Sequence, residues 1–132
     1  MDQNEKLGLL KELIMLANTD RNIREEEYQF LKKIARMLDV NDEDFHRLFE
    51  ENIEFIPPKF ESERILQFHR LVLLANIDQK VTDNELSFLR SAGLKLGLHP
   101  DAVEEVLIEM KKHQYGMIDP ETLIRIFQVY HN

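Results

Sequence analysis

Apolar residues recur along this chain at three- and four-residue intervals, the spacing that lines up one face of an α-helix. Leu7, Leu10, Leu13, Ile14 and Ala17 form a first stripe and predict a helix over about 3–18. Ile23, Tyr28, Leu31, Ile34, Ala35 and Leu38 form a second, over about 24–38. Asn41 then reads as an N-cap, with Asp42, Glu43 and Asp44 in a first turn where negative charge suits the helix dipole. Phe45, Leu48, Phe49 and Ile53 follow it at helical spacing. Ile65, Phe68, Leu71, Val72 and Ala75 mark a helix over about 62–76. Leu73 and Leu74 widen that stripe, so this helix is expected to be the more buried one. Thr82 begins a helix over about 83–96 with Leu86, Leu89, Ala92 and Leu96. Pro100 suits the first turn of the next, which carries Val103, Val106, Leu107 and Met110 and is expected to end at Gly116. Asp119-Pro120-Glu121 supplies a cap, a first-turn proline and an acid for a last helix through about 130.

The second half restates the first. With an offset of 58 residues, Leu13, Leu16, Ala17, Asn18, Asp20, Glu27, Phe30, Leu31 and Leu38 fall on Leu71, Leu74, Ala75, Asn76, Asp78, Glu85, Phe88, Leu89 and Leu96. Ile23 falls on Val81, Val40 on Leu98, and Phe45, Leu48 and Phe49 on Val103, Val106 and Leu107. No gap is needed, which is more than shared helicity would produce. The fold class is therefore all-α, an array of about seven helices built from two three-helix repeats plus a C-terminal helix. The repeats cover about 3–53 and 62–115, with a connector at 54–61 and the last helix at about 119–131, all in one domain of residues 1–132. Two copies are too few for an open solenoid and are expected to pack face to face around a pseudo-twofold axis. Pro57-Pro58 forbids helix in the connector, and Phe55, Ile56 and Phe60 argue against a solvated linker there. The last helix carries Leu123, Ile124, Phe127 and Tyr130, expected to pack across the open edge of the two copies; a dimer seam is the alternative.

Composition adds limits. The net charge of −8 disfavours nucleic acid and anionic lipid and suits cations and basic protein surfaces. The chain has no cysteine, which excludes disulfides, thiolate metal sites and cysteine nucleophiles. Residues 1–15 hold Asp2, Glu5 and Glu12 and do not read as a signal peptide, and Ile65–Ile77 is too broken by polar residues to span a membrane. A soluble cytoplasmic protein with no direct membrane insertion is the expectation. The five histidines, at 46, 69, 99, 113 and 131, form no helical zinc spacing. His69, in the most apolar helix, reads as a satisfied or boundary residue. No serine elbow and no phosphate loop is present, so a non-enzyme is expected.

The chemistry that stands out is a repeated acidic turn, LANTDRNIREEE at 16–27 and LANIDQKVTDNE at 74–85. Both copies share Ala-Asn-x-Asp, then Ile or Val, then a helical Glu seven residues after the Asp. An oxygen-rich turn of this kind suits a hard divalent cation. It is not an EF-hand: Ile23 stands at that motif's glycine and Gln29 at its bidentate glutamate, and Lys80 takes a ligand place in the second copy. The plain structural reading is strong. Asn and Asp favour tight turns, and Thr82 with Glu85 forms a capping-box pair that explains Glu85 without a metal. Arg24 replaces that threonine in the first copy and cannot accept the N3 amide, so Glu27 is expected to have no box to serve. That points to the first turn before the second as the place for a cation.

Two helical copies, each with an alanine at a helix end, an Asp turn, an Ile or Val and a helical Glu, make the chain resemble the TerB-like domains associated with tellurite resistance. That family is related to a domain attached to some J-domain co-chaperones. EYQFLKKIARMLDVNDEDF, at 27–45, adds the family's helix, short turn and acid-capped next helix. The resemblance covers most of residues 5–110. The family's turn usually has Gly after the Asp; here Arg21 and Gln79 stand in that place. The resemblance implies a small interaction domain linked to stress responses, and makes Asp20, Glu27, Asp78 and Glu85 the acids of a divalent-cation site. The leading expectation is a non-catalytic module that binds a protein partner and a divalent cation. The alternative is a metal-free adaptor that homodimerises through the C-terminal helix or the Phe55–Phe60 connector.

Overall fold

In the computed structural model, which describes residues 2–20, 22–77, 80–113 and 117–130, the chain is all helical, with no strand among those residues. Seven helices follow one another: α1 (Gln3–Ala17), α2 (Glu25–Met37), α3 (Asp42–Arg47), α4 (Glu61–Ala75), α5 (Asp83–Lys95), α6 (Pro100–Met110) and α7 (Pro120–Val129). Their starts are set by side chains that satisfy the first free amides. Asp2 accepts from Glu5 N at 2.8 Å, Asn41 from Asp44 N at 2.8 Å, Thr82 from Glu85 N at 3.1 Å and Asp119 from Thr122 N at 2.8 Å. Among the described residues, no helix is long and apolar enough to cross a membrane.

Two ends differ from expectation. Helix α3 stops at Arg47 instead of running to 53. The chain tightens there into three-residue turns, with Phe49 N on His46 O and Glu50 N on Arg47 O, which still carries Leu48 into the core. Phe45 holds this short helix to α2 through a ring contact with Tyr28 at 5.7 Å, and meets Phe49, just past the helix, at 5.3 Å. Helix α6 ends at Met110, with Lys111 as its cap. Gly116, the expected terminator, lies outside the described residues.

The core follows the repeat. Leu13 and Leu71 are fully buried, as are Leu31 and Leu89, and α1 packs on α4 while α2 and α5 each pack on the helix before them. This is consistent with two three-helix copies meeting face to face along α1 and α4. Helix α4 is not the more buried of the pair: α1 buries nine residues and α4 seven. Leu7, Leu9, Leu10 and Leu13 enclose α1 on more than one face, and Glu12 is buried with them. Gln67, the equivalent of Leu9, donates its Nε2 to Leu9 O at 3.1 Å and to Glu12 Oε1 at 3.3 Å. Arg70, the equivalent of Glu12, donates to Gln67 Oε1 at 3.3 Å. Gln67 thus puts a polar side chain where the first copy has Leu9, and completes a relay from Arg70 through Gln67 to Glu12.

Helix α7 packs on α6 and reaches α4 through Phe127, whose ring stands edge-on to Phe68 at 6.4 Å. Its principal partners both belong to the second copy, so it does not chiefly bridge the two. Leu123, Ile126 and Phe127 are buried, whereas Ile124 is half exposed. The connector runs over α1, where Glu54 O lies 3.1 Å from the point a Cβ on Gly8 would occupy. Phe55 and Pro58 dock against the fold, but Ile56 and Phe60 are exposed, contrary to the expectation for those two.

Helices α2 and α5 end in the same way. Asp39 (φ 58°) and Gly97 (φ 71°), 58 residues apart, are both left-handed. Val40 N then bonds Ala35 O at 2.8 Å and Leu98 N bonds Gly93 O at 3.0 Å, the six-to-one bond of a Schellman ending. A Cβ at Gly97 would meet nothing nearer than Arg64 Nη1 at 4.0 Å, so a substitution there tests the backbone alone. Gly97→Ala is expected to cost about 1–2 kcal/mol, and Asp39→Ala well under half of that because a Cβ is already present. Urea denaturation of both variants measures the difference, and equal costs would contradict this account.

Candidate functional site

The repeated turns leave α1 and α4 and lead into α2 and α5. Each following helix is entered through an extended residue, Arg24 (ψ 163°) and Thr82 (ψ 164°). Three positions into each helix stands a buried glutamate, Glu27 at 8% exposure and Glu85 at 7%. Glu27 Oε1 accepts from Arg24 N at 3.0 Å, and Glu85 Oε1 accepts from Thr82 N at 3.0 Å. The two acids therefore do the same local work. This corrects the expectation that Glu27 has no box to serve. A guanidinium has no lone pair with which to accept the N3 amide, but the other half of the box needs only the backbone N–H of residue 24.

The turns are not two separate sites. Asp20, Asn22, Arg24 and Glu27 of the first and Lys80, Thr82 and Glu85 of the second line one cleft of about 240 Å³, with Ala17 at its wall. Thr82 Oγ1 ties the copies together: it accepts from Glu85 N and donates to Asp20 Oδ2 at 3.0 Å. Three of the four acids singled out from the sequence, Asp20, Glu27 and Glu85, are thus brought to one place. Asp78 lies outside the described residues, as do Arg21 and Gln79 beside the two aspartates.

The chemistry of the cleft is mixed. Its oxygen donors (Asp20, Asn22, Glu27, Thr82 and Glu85) are those a hard cation takes. Arg24 and Lys80 bring positive charge to the same walls. One oxygen of each glutamate is engaged by an N-cap amide. No group of three or more acids or histidines is gathered closely enough to hold a metal ion among the described residues. The donor set fits a cation held through a few protein oxygens and water, as Mg²⁺ is commonly held, better than an all-protein cage.

Sequence reasoning missed Asn22, Thr82 and Lys80 as lining residues. The signal was available, because a face-to-face pairing of copies turns two copies of one loop into a single place. Of the histidines, His46 bonds Tyr28 Oη at 2.9 Å and His113 bonds Glu109 at 3.1 Å. His99 caps α6 through Asp101 N at 3.1 Å, and His131 lies outside the described residues. His69 is a partly buried boundary residue, and its Nε2 has no hydrogen-bond partner among the described residues.

Neither the curated proteins nor the solved structures gave a match to this chain. Residues 1–50, which hold α1, α2, α3 and the first acidic turn, match the family model described as Tellurite resistance protein TerB, and over that stretch the chain is TerB-like.

Proposed function

We propose that the chain is a non-catalytic, tellurite-resistance-related interaction module whose polar cleft takes a divalent cation. One observation carries the reading: the two acidic turns, far apart in sequence, share one cleft and are joined by the Thr82–Asp20 bond. The use of the cleft's polar groups supports the non-catalytic part. Glu27 and Glu85 hold helix starts, and Thr82 serves both Glu85 and Asp20, as groups that keep structure in place do. The net charge of −8 suits a basic surface on a protein partner.

The cation is tested by calorimetric titration of the chelator-treated chain with Mg²⁺, Ca²⁺ and Mn²⁺, followed by thermal melts. Binding is expected for the oxygen-seeking ions. At tenfold excess over Kd it would add about 1.4 kcal/mol of stability and raise Tm by roughly 3–6 °C. Asp20→Asn is expected to weaken binding by about tenfold or more. No heat and no change in Tm for any of the three ions would end the proposal. A second reading, a metal-free adaptor, is favoured by Arg24 and Lys80, which supply the cleft with cations of the chain's own. The same titration separates the two.

A further inference from the structure

Residue 9 meets its own equivalent across the seam between α1 and α4. Gln67 stands 58 residues after Leu9, and its Nε2 donates to Leu9 O at 3.1 Å. A symmetric seam centred there would carry the same side chains on both helices. The apolar positions do so: Leu13, Leu16 and Ala17 are matched by Leu71, Leu74 and Ala75, all buried. The polar positions do not. Leu9 is matched by Gln67, and Glu12 by Arg70. The Gln67 amide stands between the two ionisable groups, donating to Glu12 Oε1 at 3.3 Å and accepting from Arg70 Nη1 at 3.3 Å. All three side chains are buried.

Burial of apolar surface is non-directional and does not distinguish two helices with the same stripe. The polar trio does. Two α1 helices laid together about the same centre would set Leu9 on Leu9 and bury two Glu12 carboxyls without the Gln67 amide. Two α4 helices would bury two Arg70 guanidiniums without an acid opposite. A buried polar group left without its partner costs more than its hydrogen bond contributed, and buried like charges add repulsion. Only α1 on α4 gives Glu12 its donor and Gln67 its two acceptors across the seam. A carboxyl accepts from an amide whether protonated or not, so the preference does not depend on the charge of Glu12.

We propose that Glu12, Gln67 and Arg70 form a pairing code, by which α1 takes an α4 as its partner and rejects a second α1. The α4 of the same chain is tethered close by, so the code closes each chain on itself. Chains built of two similar copies are otherwise exposed to exchange of one copy between molecules. Buried polar residues fix partner and register in coiled coils by the same means. The polar cleft depends on this choice whatever it binds, because it joins Asp20, after α1, to Thr82, after α4.

The test exchanges the code between the helices of the full chain. One double variant, Gln67→Leu with Arg70→Glu, gives α4 the side chains of α1. The other, Leu9→Gln with Glu12→Arg, gives α1 those of α4. Each is expected to unfold at a clearly lower urea concentration than the unaltered chain. All four changes together restore an unlike pair with its direction reversed. Glu5 then stands to the new guanidinium as Glu63, which favours the Arg70 charge, stands to Arg70. Lys95, which acts on Glu12, has Met37 as its equivalent, so recovery is incomplete. The fourfold variant is expected to regain about half or more of the summed losses in midpoint, a strongly non-additive result. A midpoint at or below that of the weaker double variant would overturn the proposal, and so would double variants as stable as the unaltered chain. The two double variants are also unfolded together in urea, refolded as a mixture and separated by different tags. They are expected to yield a species holding both chains, each α1 on the other chain's α4, with its mass read by light scattering. No mixed species, or as much of it from two unaltered chains, would overturn the proposal.

Discussion

Phe68→Ala is expected to cost about 3–5 kcal/mol, the range for removing a buried aromatic ring. That is a large share of the roughly 5–15 kcal/mol that holds a domain together. Phe68 is fully buried in α4, and its ring meets Phe127 edge-on at 6.4 Å. The loss thus includes transfer of the ring to water, the aromatic contact, and the hold that α4 has on α7. Relaxation cannot recover much of it, because Leu71 and Val72 are fixed on α4 and Phe127 on α7, and α7 already leaves space beside α4. Urea denaturation measures the cost, with Leu66→Ala as the control. Leu66 is on the same helix but 47% exposed, and its replacement should stay within about 1 kcal/mol. Similar costs at the two positions would mean that α4 presents a different face to the core.

Both residues show what could be read in advance. Phe68 belongs to a stripe set by helical spacing, and burial of a stripe is a local consequence of its period. The helix starts at Asn41, Thr82 and Asp119 were readable for the same reason, since a cap needs a side chain only three residues away. Where α7 packs was harder. It lies outside the repeat, so the 58-residue offset says nothing of its position, and its stripe fits any apolar edge. The polar cleft was half legible. The acids were visible in each turn, but their meeting depends on how α1 lies on α4. Glu27 was misjudged because the capping box was treated as all or nothing, whereas its glutamate half asks for only a backbone N–H. The relay at the centre carried a signal that went unused: the offset pairs Glu12 with Arg70 and Leu9 with Gln67, unlike residues at symmetric places on the two helices that meet.

Glu12→Gln is expected to make the protein more stable above neutral pH, by about 3 kcal/mol at most, and to leave it nearly unchanged in acid. Burial raises the Glu12 carboxyl from 4.5 to about 7, against the smaller opposing effects of the Gln67 hydrogen bond and Lys95. The folded chain therefore holds this proton more tightly than the unfolded chain does. Below the unfolded pKa of 4.5 both states are protonated and the contribution of the group is fully present. As pH rises from there to about 7, the unfolded chain ionises first, and stability falls by about 1.4 kcal/mol per pH unit. Above that range the carboxylate is charged in both states and the contribution is gone. Glutamine keeps an oxygen for the Gln67 amide and removes the charge, so the variant should lack this slope. Glu12 is only 4% exposed, so water screens little of the effect. Denaturation of both chains across this interval gives two curves that converge in acid and separate as pH rises. Parallel curves would mean that Glu12 is ionised in the fold at all these pH values, and that Gln67 bridges a carboxylate to Arg70 instead of a neutral acid.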